Sequence, residues 1–90
     1  MNFDLDIQKL GKRDQTHWDQ AFPILFGVAF RIASRHPLLG LNTSISEDVA
    51  QETVVQVVEK FGFEPDQGVD DLIRFTRTVA LRRGIDWIRK

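Results

Sequence analysis

The sequence predicts an all-α protein, a compact bundle of three to four helices. Three features of the chain point to this. Apolar residues recur three and four positions apart through three long stretches. Side chains able to cap a helix stand at the head of each stretch. Between the stretches lie the segments that hold Pro37 with Gly40, and Gly62, Pro65 and Gly68.

Residues 1–15 are polar, with weak alternation at Phe3, Leu5 and Ile7, and are expected to form a flexible leader or a short fraying helix. The domain proper is expected over residues 16–90. Its first helix should start near Thr16, where Thr16 and Asp19 form a variant of the capping box. Trp18, Phe22, Leu25, Phe26, Ala29, Phe30 and Ala33 then follow a helical spacing. Pro23 lies within this stretch, lacks a backbone donor and should kink or restart the helix. Arg31, Arg35 and His36 near its end suit the helix dipole, and Pro37 and Gly40 break the chain into a loop over 36–43.

Ser44-Ile45-Ser46-Glu47 is a Ser-x-x-Glu capping box and predicts the next helix start at Ser44. The run Val54, Val55, Val57, Val58 taken alone would suit a strand. The cap, the length of the pattern and the absence of Pro and Gly favour a helix, with Ala50, Val54, Val57, Val58 and Phe61 as its buried stripe. Residues 61–69 read as a loop. Asp70 or Asp71 then caps a third helix whose buried side chains are expected to be Leu72, Phe75, Thr76, Val79, Ala80, Ile85 and Ile88.

Composition removes several classes of function. Ninety residues suggest one domain with a modest core, too small for a dry catalytic pocket to be expected. There is no Cys, and His17 and His36 stand far apart, so neither a metal nor another cofactor is expected. Asp48 with Glu52, and Asp70 with Asp71, have no accompanying nucleophile or base, so no catalytic residue and no enzyme are expected. No apolar run approaches the roughly 20 residues of a membrane span. The first residues are acidic where a signal peptide would be basic, which predicts a cytoplasmic protein without a membrane partner.

The net charge of −1 conceals a polarity along the chain. Residues 1–43 carry +1, residues 44–70 carry −6 and residues 71–90 carry +4. Such a division suggests two partners, or two oppositely charged helices that attract each other. In the middle helix, Asp48, Gln51, Glu52 and Val55 stand in one line, with Glu59 beyond them. A valine among acids and amides suits a partner helix that offers basic and apolar groups; the plain alternative is a solvated acidic face. In the last helix, Arg74, Arg77, Arg82, Arg83, Arg89 and Lys90 could follow a phosphate backbone, or could serve solubility and pairing with the acidic helix. Phe75 and Trp87 among them suit core packing first and base stacking second.

The order and spacing of these segments resemble region 2 of the bacterial extracytoplasmic-function sigma factors. Glu47-Asp48-Val49-Ala50-Gln51-Glu52-Thr53 is similar to the family's Glu-Asp-Leu-Val-Gln-Glu-Thr. Leu72-Ile73-Arg74-Phe75 stands for its Phe-x-x-Trp-Leu, and Gly84-Ile85-Asp86-Trp87-Ile88-Arg89-Lys90 for its Ala-Ile-Asp-Trp-Leu-Arg-Arg. Trp18 and Ala29-Phe30-Arg31 suit the family's first conserved helix, so the resemblance runs from Thr16 to Lys90. The chain departs from the pattern at Leu72, smaller than the usual aromatic residue, and at Ala80-Leu81-Arg82, where Ala-Arg-Asn is common. Its 38–43 loop is also longer.

The resemblance implies a sigma region 2-like transcription initiation domain. Asp48, Gln51, Glu52, Val55 and Glu59 would dock on the coiled coil of the β′ subunit of core RNA polymerase. The 61–69 loop and the start of the last helix would meet the promoter −10 element and capture an extruded base of the non-template strand, at a cost of a few kcal/mol of unstacking. Arg74, Arg77, Arg82, Arg83, Arg89 and Lys90 would hold phosphates, with Phe63, Phe75 and Trp87 as candidates to contact or stack on bases. Asp86 would orient a neighbouring Arg or cap a turn. An anti-sigma factor is a further partner the family implies. The family's second, helix-turn-helix domain is absent from this chain, which therefore looks like a fragment. The alternative is a small helical adaptor that binds proteins through its acidic helix and has no DNA role.

Overall fold

A computed structural model describes residues 5–36 and 42–89 of the chain. They form four helices: α1 (Ile7–Gly11), α2 (Gln15–Arg35), α3 (Thr43–Lys60) and α4 (Val69–Arg89). The three long helices each pack against the other two, and α1 closes one end against α2. The fold is all-α, as the apolar spacing predicts, and no strand occurs among the described residues.

The segment before α2 is tied down. The Asp6 carboxylate accepts from the N–H groups of Gln8 and Lys9 and caps α1. Its backbone N–H donates to His17 Nε2 at 2.6 Å, which joins α1 to the first turn of α2. Ile7 and Leu10 are buried in the main core, and Trp18 Nε1 donates to the Leu10 carbonyl at 3.0 Å. The chain leaves α1 through a Schellman turn in which Asp14 N–H reaches Lys9 O and Arg13 N–H reaches Leu10 O. Arg13 takes the left-handed conformation (φ 60°) that such a turn demands.

The caps of α2 and α3 each lie two residues before the expected ones. Asp14, not Thr16, caps α2: its Oδ1 accepts from His17 N–H at 2.9 Å, and Thr16 lies inside the first turn. Asn42, not Ser44, caps α3, accepting from Ile45 N–H at 3.3 Å. In each case an equally competent side chain stands just upstream of the one expected and meets the free N–H groups first. Most of the loop expected over 36–43 lies outside the described residues, and Thr43 belongs to α3. The Asp71 carboxylate accepts from Gly68 N–H at 2.8 Å, half of a capping box at the head of α4.

Pro23 does not restart α2, which runs from Gln15 to Arg35 as one element. The proline is exposed, and the buried row Ala21, Leu25, Ala29, Ala33 on another side holds the helix to its neighbours. The main core joins Ile7, Leu10, Leu25, Val54, Val57, Phe61, Leu72 and Ile73. Further along, Ala29, Ala50 and Ala80 meet, one from each long helix, so the three backbones approach closely. Beyond them Trp87 packs over Ala33 and Val49.

On α4 the inward line is Leu72, Thr76, Val79 and Ala80, as expected, with Phe75 half-buried. Ile85 and Ile88 depart from expectation, at 45% and 36% exposed. They follow Leu81 at helical spacing on the outer side, while Gly84 and Trp87 take the inner positions. The buried hydroxyls of Thr53 and Thr76 donate to the carbonyls of Val49 and Leu72, four residues back.

Candidate functional site

The polar residues singled out on α3 share one surface. Ser46, Val49, Ala50, Thr53, Val54 and Val57 point inward, which leaves Asp48, Gln51, Glu52, Val55 and Glu59 exposed. With Gln56 and Arg83 they line a shallow groove along the α3–α4 seam. Val55 is 53% exposed in the middle of this acidic surface, so its apolar contact is unused by the fold. Among the described residues the groove holds the carboxylates of Asp48, Glu52 and Glu59 against one cation, Arg83.

Two hydrogen bonds cross the seam. Arg83 Nε donates to Gln56 Oε1 at 2.8 Å, partly buried. Trp87 Nε1 donates to Glu52 Oε2 over a longer 3.4 Å. Glu52 therefore presents a carboxylate that is anchored from α4 yet still open to a partner.

The arginines do not form one row. Arg74 and Arg77 are exposed and share the groove between α2 and α4 with Arg31. Arg82 and Arg89, also exposed, stand two turns apart on a different line of α4. Arg83 turns to α3 and Gln56. Arg74, Arg77, Arg82 and Arg89 make no ion pair or side-chain hydrogen bond with another described residue. Among the described residues the acidic and basic helices thus do not neutralise each other by direct pairing: the two contacts across the seam join Arg83 to the uncharged Gln56 and Glu52 to the uncharged Trp87. Lys90 lies outside the described residues.

The three candidate stacking rings are half-buried and already have neighbours. Phe63 stands edge-on to Trp18 and to Phe61, with centroids 5.8 and 4.9 Å apart. Phe75 tilts against Phe61 at 5.4 Å, and Trp87 covers the Ala33–Val49 contact. Phe63 has φ 51°, the left-handed region, and its Cβ lies 2.9 Å from where a Cβ on Gly11 would be. The 61–68 loop is therefore set from below by α1 and Trp18. Asp86 is exposed on α4.

Spacing on single helices missed Gln56 and Arg31, since both enter through contacts between helices. A charged residue on α2 beside the Ala29 stripe was the one visible signal for Arg31.

No family model, curated protein or solved structure matches the chain. Among the described residues, no helix is long and apolar enough to cross a membrane, and no His, Asp and Glu side chains gather as metal ligands would.

Proposed function

We propose that this domain is a transcription initiation module of the sigma region 2 type. It docks on the β′ coiled coil of core RNA polymerase through α3 and holds the opened −10 region of the promoter through the loop and arginines of α4. The observation that carries the reading is the α3 face, where Val55 sits half-exposed among Asp48, Gln51, Glu52 and Glu59. A basic, partly apolar helix complements such a surface. The quoted Glu47–Thr53 and Gly84–Lys90 segments resemble the sigma factors at the same two places. Arg74, Arg77, Arg82 and Arg89, without partners among the described residues, support a second, anionic ligand.

The mechanism is binding without chemistry. A domain that prefers the single strand to the duplex shifts the melting equilibrium by that difference in affinity.

The test measures association of the 90-residue chain with core RNA polymerase. Gln51→Ala combined with Glu52→Lys is expected to abolish association while leaving the urea midpoint nearly unchanged. Association that survives both changes removes α3 as the docking face.

The exposed Leu81 and Ile85, at 56% and 45%, favour a second reading, an adaptor that binds only proteins. Arg82→Ala with Arg89→Ala separates the two. Loss of binding to single-stranded −10 DNA in the polymerase complex supports the initiation module, and unchanged binding supports the adaptor.

A further inference from the structure

We infer that the groove between α2 and α4 is a phosphate-binding seat for single-stranded nucleic acid, with Arg31 of α2 as one of its ligating residues. This rests on the DNA-binding reading of α4 and extends it to a second helix. Arg31, Arg74 and Arg77 line the groove together, and Asp70 is its only carboxylate among the described residues. The local charge is therefore +2, from three cations and one anion. None of the three arginines makes an ion pair or a side-chain hydrogen bond with another described residue. A net charge of +2 held in one groove disfavours the fold slightly, so the excess of cations has no folding rationale.

The groove is more than a charged patch. Its floor is apolar, built from Ile24, Val28 and the buried Ile73. Gly27 opens on one side with nothing within 4 Å of where its Cβ would be, so a ligand can come up against the α2 backbone. Guanidinium forks over an apolar floor suit a strand that alternates phosphates with sugar and base faces. A carboxylate-rich peptide offers the same charge without those flat faces.

The test measures binding of a labelled oligothymidylate to the full chain by fluorescence anisotropy across a salt series. Each single-strand phosphate contact contributes about 0.7 to the slope of log K against log salt. Arg31→Ala is expected to lower the slope by about 0.7 and to weaken binding roughly tenfold at about 0.05 M salt. Arg31→Lys should keep most of the slope, and Asp70→Asn should tighten binding, which a purely structural role would not produce. Arg31 and Asp70 are exposed, so neither change threatens the fold.

If Arg31→Ala leaves the slope intact while Arg82→Ala with Arg89→Ala flattens it, the seat is refuted and the DNA-binding reading stands. If the wild-type chain shows no salt-dependent binding, both fall. Equal competition by a polyglutamate of matched charge would make the groove a protein-docking surface and overturn the nucleic-acid assignment.

Discussion

Arg83 donates its Nε–H to Gln56 Oε1 at 2.8 Å and so fastens the last third of α4 to the flank of the acidic α3 face. A partly buried hydrogen bond from a charged donor contributes about 1–2 kcal/mol. Gln56→Ala and Arg83→Ala should each lower the unfolding free energy by about that amount. A double-mutant cycle in urea should return a coupling near 1 kcal/mol. Additive effects would mean that the contact does not form in solution.

Val55 tests the proposed docking face from its apolar side. Val55→Ser should leave stability within about 0.5 kcal/mol, because the side chain is 53% exposed. Affinity for core RNA polymerase should fall several-fold, read by anisotropy of the labelled chain. A docking surface that ignores this change uses only charge.

The turn after α1 holds an arginine where most Schellman turns hold glycine. Arg13 adopts φ 60°, which costs a residue with a Cβ about 1 kcal/mol. Arg13→Gly should therefore raise the thermal midpoint by a few degrees, less whatever the freer unfolded chain takes back. A fall in midpoint would show that the Arg13 side chain makes a stabilising contact larger than the strain.

Ala29, Ala50 and Ala80 are buried together, none more than 1% exposed. Ala50→Leu should destabilise by about 1–3 kcal/mol or more through overpacking, measured by urea unfolding. It should also disturb association with core RNA polymerase, although residue 50 is fully buried. A neutral result would mean that the helices can separate at this point without loss.

Much of the fold was legible because long stretches repeat one period. Val54 and Val57 on α3 and Leu72, Thr76 and Val79 on α4 are buried as their spacing predicts. Short elements and end effects were not legible. Ile7 and Leu10 make one turn, too brief for a period to declare itself, so the docking of α1 could only be found in three dimensions. Asp14 and Asn42 lost to Thr16 and Ser44 in the sequence because each pair contains two competent caps, and only backbone geometry chooses between them.

The candidate site divided in the same way. Asp48, Gln51, Glu52, Val55 and Glu59 were readable as one face because they belong to one helix. The arginines were read as a single population, yet Arg83 turned to α3 and Arg74 and Arg77 were joined by Arg31. Which helix lies beside which is information that no single-helix period contains.

The alanine junction has a consequence for how two ligands would be handled at once. Where long side chains meet, rotamer changes can absorb a tilt of one helix against another; where three methyl groups meet, the backbones themselves must move. The α3 surface and the α4 arginines thus ride on one stiff frame. A macromolecule gripping the first surface aims the second, with little orientational freedom left to surrender when the next ligand arrives.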